Sequence, residues 1–406
     1  MAVFHLTLFI VTIVILFIYL ATRSRHTDSL TFVQEQQAIA NFGVLGKPNL
    51  QSRLRARAIP NQRLIKAFGI VSSFTTEDPR IHNEFLRRAS VDINKMGQSD
   101  CVEFFSSAKL SLSQTITHLD PTAQRALPLA RVVRAFVLIA ILNKFFRIEP
   151  SSVDVKAAIR AAEAINRLWV QSKNPDQEGQ DVDQSILQSA LELLLPKHFP
   201  CHPKDNPLNI IMPAYETMWR VVLLTYVAAG FQSQDETASR QFRGVVDMIP
   251  KCFSPEDKLS QEMALNFAKE GLRLYPPTRR VYRAVMTARG DTEIKHADVE
   301  KCHRDKNIWG SDALQFRPSR WRTVSADMQR AYMPFSNGRH TCPAAWGFGY
   351  RAIIILVAAL ARRLGTRDAG AVMYFGGLNG EIERHPDTPL PYGRQELEGW
   401  LLLPKK

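Results

Sequence analysis

The chain has 406 residues, of which 45% are apolar and 22% charged, so it is long enough for one large domain or two ordinary ones and its composition argues against disorder. Its formal net charge is +13, but the lysines and arginines are dispersed without a zinc-finger spacing, an RNA-binding signature or a long basic tail, which argues against nucleic-acid binding. The five cysteines are widely spaced without a C-x-x-C pair, which argues against a disulfide framework and indicates a reducing compartment.

A strongly apolar segment lies at the N-terminus. Residues 3–21 contain no Asp, Glu, Lys or Arg, and a helix of that length is about 28 Å long, close to the thickness of a membrane core. Arg23, Arg25 and His26 follow, so the positive-inside rule places the body on the cytosolic side. A cleavable signal peptide is the alternative, but no Lys or Arg precedes the apolar run and no A-x-A-like site follows it. We predict a membrane anchor over residues 1–21.

Residues 22–64 are polar to mixed and read as a linker with a shortened N-terminal region, and residues 65–406 as one large domain. Apolar spacing predicts one helix that begins near Pro79, and further helices over 123–146, 153–169, 185–195, 208–229, 258–275 and 346–363. Strand-like runs are short, the best being 280–285 and 371–375. The polar segment 171–183 is predicted to be a surface loop. The body is therefore expected to be mostly α with a small β region.

Cys342 has neighbours unlike those of the other cysteines. It lies in the sequence MPFSNGRHTCPAAWGFGY, with Phe335 seven residues before it, Gly338 four before, His340 two before and Ala344 two after. This spacing resembles the haem-binding loop of cytochrome P450, F-x-x-G-x-[RH]-x-C-x-[GA], at every fixed position. A buried structural cysteine that opens an amphipathic helix is the alternative interpretation.

The resemblance implies heme b with the Cys342 thiolate as axial ligand of the iron. A buried thiolate is costly unless a metal and nearby N–H groups offset its charge. Gly338 would permit the turn that aims those N–H groups at sulfur, and Phe335 would shield the ligand from water. His340 would donate to a haem propionate, and Ala344 would let the following helix lie close beneath the porphyrin.

Two further segments resemble the same family. Glu270 and Arg273 form an E-x-x-R followed by L-Y-P-P, as in the family's K-helix, although an isolated E-x-x-R is a common solvated ion pair. Arg320 lies in F-R-P-S-R-W, which is similar to the segment whose arginine joins that pair in a buried cluster. Arg283 lies ten residues beyond Arg273, where the family often has an arginine on a haem propionate.

The predicted helix over 208–229 contains P-A-Y-E-T, which resembles the family's oxygen-binding motif. Glu216 and Thr217 match the acid–alcohol pair that delivers protons, whereas Pro213 and Ala214 replace two small residues. A proline inside a helix removes a donor and produces a kink. An ordinary buried helix with a polar face is the alternative.

One family feature is missing, a W-x-x-x-R near residues 80–95. His82, Arg87 and Arg88 are candidate replacements as propionate partners, or are ordinary surface charges. The resemblance is strong over 208–363, moderate over 65–207 and weak over 22–64.

The resemblance implies the P450 fold with an N-terminal transmembrane helix, single-pass in the endoplasmic reticulum, and a monooxygenase that acts on a lipophilic small molecule. NADPH–cytochrome P450 reductase would supply the electrons. The overall style is similar to fungal microsomal members of secondary metabolism. Two alternatives are oxidative coupling, cyclisation or rearrangement without oxygen insertion, and an inactive haem-binding protein.

Overall fold

The computed structural model describes residues 2–93, 96–120, 125–173, 183–232, 236–249, 253–254 and 256–405. Helices carry most of these residues, and two small antiparallel sheets lie at the edges, so the prediction of a mostly α chain with a small β region is confirmed.

The first nine helices are α1 Ala2–Ala40, α2 Leu50–Ala58, α3 Gln62–Phe68, α4 Pro79–Ile93, α5 Gln98–Leu119, α6 Leu129–Phe146, α7 Val155–Gln171, α8 Ser185–Leu194 and α9 Leu208–Ile211. The remaining helices are α10 Thr217–Val227, α11 Glu236–Met248, α12 Lys258–Leu274, α13 Val299–Arg304, α14 Lys306–Trp309, α15 Ala326–Ala331, α16 Phe348–Leu364 and α17 Arg394–Glu398. The strands are β1 Leu127–Pro128, β2 Arg280–Met286, β3 Thr292–Asp298, β4 Val372–Tyr374 and β5 Leu401–Leu403.

The first helix is longer than the predicted anchor. By length and composition the segment Ile10–Ala40 could cross a membrane, and its most apolar window is not buried in the protein. No glycine or proline interrupts residues 22–41, so α1 does not end at Ala21. Its C-terminal half packs on the body, where Val33 and Ala40 are buried and the His26 ring is hydrogen-bonded to the carbonyl of Asn307 at 2.8 Å. The predicted linker is therefore largely helical.

The main core is built around α6. Its sequence is apolar on all sides, so it can lie at the centre of the helical layers, and almost all of its residues are buried. Helices α5, α7, α10, α12 and α16 pack around this core. α6 begins at Leu129, not at residue 123, because Pro128 belongs to the short strand β1. The helix α5 has no counterpart among the predicted helices, since serine, threonine and glutamine interrupt its apolar pattern.

The predicted helix over 208–229 is present with two irregular turns. A π-helical turn over Met212–Glu216 joins α9 to α10, and a second one follows over Ala228–Gln232. Pro213 lies in the first of these turns, where its missing N–H cannot continue the α-helical hydrogen bonds. The kink expected from Pro213 is therefore an i→i+5 turn.

Both predicted strands are confirmed, as β2 and β4. β2 pairs with β3, with Arg280 opposite Asp298 and Met286 opposite Thr292, and β5 lies between β1 and β4. β3 was not predicted, because its sequence TEIKHAD is polar. Most of its side chains are exposed. Most of the predicted loop 171–183 lies outside the described residues.

Candidate active site around Cys342

A cavity of about 1930 Å³ lies between α3, α4, the helix over 208–227, strand β2 and the loop that carries Cys342. Cys342, His340 and Thr217 all line it. Thr217 is far in sequence from His340 and Cys342, so the fold brings the two main predicted motifs to one cavity.

The Cys342 loop requires glycine at position 338. Gly338 has φ +70°, a left-handed conformation, and a Cβ there would lie 1.8 Å from Oδ1 of Asn41. The turn then returns the chain so that the N–H of Cys342 donates to the carbonyl of Phe335 at 2.9 Å. This local geometry explains the fixed spacing of phenylalanine, glycine and cysteine.

The Cys342 side chain is a free thiol that opens into the cavity. Although accessible from the cavity, the sulfur is surrounded by protein, and this burial raises the pKa of the thiol; the N–H of Ala344 acts in the opposite direction. The thiol therefore favours its neutral form until a cationic centre binds to it.

Phe335 and Ala344 belong to the loop that carries Cys342. The Phe335 ring packs edge-on against Tyr350, with 5.2 Å between ring centroids. A Cβ at Gly349 would lie 2.7 Å from the Phe335 ring, so the first turn of α16 approaches this ring closely. Ala344 lies in the short 3₁₀ turn between Cys342 and α16.

His340 belongs to a group of basic side chains, three arginines and two histidines, that we call the inner cation cluster: Arg53, Arg57, His82, Arg283 and His340. The Arg53 Nε–H donates to Nε2 of His340 at 3.1 Å, and the His82 and His340 rings are 5.2 Å apart. Arg57 donates to the Oγ of Ser73 at 3.1 Å, and Ser73 Oγ is 2.8 Å from His82 Nδ1.

The inner cation cluster carries excess positive charge. Burial, together with repulsion from Arg57, lowers the pKa of Arg283 to about 9, that of His82 to about 4 and that of His340 to about 3. Burial alone lowers the pKa of Arg57 to about 10.

None of the five forms an ion pair with an acid in the part of the chain that the structure describes. The Nε atoms of Arg57 and Arg283 are buried without a hydrogen-bond partner. Such a cluster fits a ligand with two carboxylates, and the two propionates of haem meet that requirement.

The sequence identified part of this cluster. Arg283, His340 and His82 were predicted, whereas Arg87 and Arg88 instead pair with Glu84 on an exposed face of α4. Arg53 and Arg57 were missed as propionate candidates. Their signal was an i, i+4 pair of arginines on α2, which sequence alone does not distinguish from a solvated face.

The structural cluster of Glu270, Arg273 and Arg320 is assembled as the motifs imply. The Glu270 carboxylate accepts from Arg273 Nη2–H at 2.8 Å and from Arg320 Nε–H at 3.0 Å. The Trp321 indole and the N–H of Arg317 complete its shell. Although burial acts to raise it, the two arginines hold the pKa of Glu270 below its usual value.

Arg273 connects this cluster to the rest of the fold. Its Nη1 donates to the carbonyls of His303 and Ala313 at 2.8 and 2.7 Å. His303 in turn accepts from the N–H of Met333 at 2.9 Å, two residues before Phe335. The cluster therefore fixes the start of the Cys342 loop.

Glu216 and Thr217 lie at the cavity wall, but their side chains have different partners. The Thr217 hydroxyl donates to the carbonyl of Pro213 at 2.8 Å, across the π-helical turn. The Glu216 carboxylate is buried and forms an ion pair with Arg394. Arg394 was not predicted, because it lies far along the chain outside any motif.

Comparisons with known proteins agree with this geometry. A cytochrome P450 family model matches residues 251–344. A putative cytochrome P450, CYP13A1, of Caenorhabditis elegans is 34% identical over 136 residues, 30% of this chain and 26% of that protein. The bifunctional cytochrome P450/NADPH–P450 reductase 2 of Bacillus subtilis (strain 168) is 38% identical over 102 residues, 22% of this chain and 9% of that protein. The matched part thus spans about a quarter or less of these relatives.

Solved structures resemble the whole fold. A 6-coordinated cytochrome P450 from Thermus thermophilus aligns with a TM-score of 0.54 at 15% identity, covering 88% of this chain and 90% of that one. The haem domain of cytochrome P450DA aligns with a TM-score of 0.51 at 13% identity, covering 89% and 86%. With the Cys342 loop lining the cavity and the Glu270 cluster holding the start of that loop, these matches lead to one conclusion: the chain has the cytochrome P450 fold, and its residues 251–344 match the cytochrome P450 family model.

Proposed function

We propose that the protein is a haem-thiolate monooxygenase that oxidises a lipophilic small molecule with O₂ and electrons from an NADPH-dependent P450 reductase. One observation carries the proposal: the free Cys342 thiol opens into a large cavity that also holds the uncompensated inner cation cluster. A flat cofactor with a metal at its centre and two carboxylates at its edge satisfies both features.

The residues would divide the binding of heme b between them. Cys342 would ligate the iron as a thiolate. The Ala344 N–H would favour this thiolate by hydrogen bonding to the sulfur. Arg57, Arg283 and His340 would donate hydrogen bonds to the propionates. The negative charges of the propionates would balance the positive charge of the inner cation cluster. When bound, the haem would supply the iron at which molecular oxygen is activated.

The Thr217 hydroxyl is the polar group best placed to transfer protons at the cavity wall. This hydroxyl already donates to the carbonyl of Pro213, four residues before it in the π-helical turn. Glu216 would act as the proton source only when its ion pair with Arg394 opens. Proton delivery would therefore depend on Arg394 as well as on the acid and the alcohol.

The membrane anchor and the cellular role are proposed from the sequence. The apolar part of α1 would anchor the protein in a membrane, with the endoplasmic reticulum as the proposed site, and the continuous helix would tether the body directly. A role in secondary metabolism and the likeness to fungal microsomal members stay predictions from the sequence.

The test is a carbon monoxide difference spectrum of the reduced protein beside Cys342→Ser and Cys201→Ser. Thiolate ligation gives a red-shifted Soret band, which Cys342→Ser should abolish. Cys201 is a partly exposed free cysteine outside the cavity lining, so its variant should keep the band. A red-shifted band that survives in Cys342→Ser would contradict the proposal.

A second candidate is a haem-thiolate reaction without net oxygen insertion, such as coupling or rearrangement. The ion pair of Glu216 with Arg394 favours it, because it removes the carboxylate from free proton exchange. Turnover with NADPH and ¹⁸O₂ separates the two: label in the product supports the monooxygenase, and an unlabelled oxidised product supports the alternative.

A further inference from the structure

A second group of cations lines the same cavity, away from the Cys342 loop. Arg63 and Lys173 lie over the Trp169 indole, at 4.7 and 5.7 Å from its centroid, and Arg220 lies 5.1 Å from the Tyr392 ring. We call Arg63, Lys173 and Arg220 the outer cation rim. They come from α3, the end of α7 and α10, and all three line the cavity.

The outer cation rim has no acidic partner among the residues that the structure describes. Arg63 donates to the Ser172 hydroxyl at 2.5 Å and Arg220 to the carbonyl of Pro277 at 3.1 Å, both neutral acceptors. The Arg220 Nε is buried without a partner. Among the described residues no carboxylate forms an ion pair with any of the three.

Nearby arginines outside the rim differ in this respect. Arg394 also lies over Trp169, at 5.3 Å, but it pairs with Glu216. Arg279 lies over Tyr392 and pairs with Glu300 at 2.5 Å. Among the described residues of this region, the positive charge that no carboxylate pairs with therefore belongs to the rim.

The pKa of Lys173 reflects repulsion between the rim cations. Burial, followed by the charges of Arg63, Arg220, Arg394 and Arg279, lowers the pKa of Lys173 to about 8. A bound anion would reverse that effect, since an opposite charge within a few ångströms favours the charged amine.

The rim and the inner cation cluster share no residue, so one cavity presents two separate sites for anions. Haem propionates account for one. Apolar side chains, among them Phe146, Met212 and Ile353, line the cavity as well. A ligand that satisfies the rim and fills this space has an oxyanion at one end and an apolar body.

We propose that the outer cation rim binds the oxyanion head group, a carboxylate or phosphate, of an amphipathic substrate whose apolar part extends into the cavity. Arg63 and Arg220 present guanidinium N–H groups suited to an oxyanion, and the Trp169 indole holds Arg63 and Lys173 beside each other. This inference rests on the proposed function and narrows its substrate from lipophilic molecules in general to lipophilic anions.

The test is a calorimetric titration of the haem-loaded full chain, in a non-ionic detergent, with dodecanoate, dodecyl phosphate and dodecanol. At least one of the two anions should bind roughly tenfold or more tightly than the alcohol, as a charged hydrogen bond predicts. The tighter of the two identifies the head group. Raising the salt concentration should weaken the binding of the anions and leave the binding of dodecanol unchanged.

The variant Arg63→Gln/Lys173→Gln should lose the preference for the anion and keep the affinity for dodecanol. Arg160→Gln is the matched control, because Arg160 is an exposed cation of α7 outside the cavity lining. Equal binding of all three ligands to the wild type, or a preference that survives in the double variant, would overturn the proposal.

The carbon monoxide spectrum of the same sample keeps the two proposals apart. If the thiolate band is missing but the protein still prefers the anion, only the proposed function is contradicted. If the band is normal but the anion is not preferred, only the proposal for the outer cation rim is contradicted. A thermal melt of the double variant checks that it folds, and Arg220→Gln repeats the test from another helix.

Discussion

Glu270 is fully buried between two arginines, and each of its oxygens accepts more than one hydrogen bond. A buried carboxylate in such a shell is retained because removal of its charge leaves the arginines uncompensated. The motifs that predicted the cluster are thus consequences of this single satisfied charge.

We expect Glu270→Gln to destabilise the protein by about 3–5 kcal/mol, because Arg273 would keep its charge in a buried site without a carboxylate, and Arg320 would keep only Asp312, 3.2 Å away. Denaturant unfolding of wild type and variant measures the difference. Glu84→Gln is the control, since Glu84 pairs with arginines on an exposed face and its loss should matter little. A similar small effect for both variants would contradict the buried-charge argument.

His303 provides a pH-dependent prediction at the same scale. Its Nδ1 lies 3.1 Å from the carbonyl of Arg273 and its Nε2 accepts from Met333, so the neutral ring with a proton on Nδ1 satisfies both contacts. Burial, and then the charge of Arg273, lowers the pKa of His303 to about 3.

Because the unfolded chain binds the proton more readily, the stability from His303 is present above the usual histidine pKa of about 6.5 and is lost as the pH falls toward 3. We expect the unfolding free energy to decrease over that interval, and the decrease to be smaller in His303→Gln. Urea titrations at stepwise pH measure both slopes. An unchanged slope in the variant would count against the buried neutral histidine.

At the scale of elements, the Cys342 loop depends on its approach to the end of α1. Gly338 has a left-handed backbone and touches the Asn41 side chain, whose Oδ1 accepts from the N–H of Arg339 at 3.0 Å. Gly338 therefore satisfies two constraints at once, the turn itself and the contact with the residue that follows α1.

We expect Gly338→Ala to destabilise the protein by more than about 1 kcal/mol, because it combines a positive φ with a clash against Asn41. Gly244→Ala on α11 is the matched control, since open space surrounds that position and alanine favours helix. Thermal melts should show a lower midpoint for the first variant and an unchanged or higher one for the second. The same result for both would mean that the loop adapts freely.

For the whole molecule, the proposed haem binding at the inner cation cluster would be linked to stability. Three arginines and two neutral histidines from α2, α4, β2 and the Cys342 loop meet without an acid of the described chain. A ligand that neutralises them stabilises the folded state in proportion to its affinity. The cofactor is therefore expected to be part of the electrostatic balance of the fold.

Arg57→Gln should weaken haem binding roughly ten- to hundredfold, the effect expected from loss of one charged hydrogen bond. Haem titration of the apoprotein followed by absorbance measures this. Arg87→Gln, on the exposed face of α4, should bind haem as the wild type does. Equal affinities for the two variants would remove Arg57 from the propionate site.

Local spacing determined much of this protein from the sequence alone. The Cys342 loop, the E-x-x-R helix and the Arg320 segment are readable because each depends on residues a few positions apart, whose geometry the backbone sets. Most helices were predicted for the same reason, since their apolar faces repeat locally.

Only the tertiary structure decided which charges meet. The pairing of Glu216 with Arg394, the approach of Arg53 and Arg57 to His340, and the gathering of the outer cation rim join residues far apart in the chain. No periodicity records such contacts, because an arginine on a solvated face and one that lines a cavity have the same local sequence. The continuation of α1 onto the body likewise depended on packing partners far along the chain.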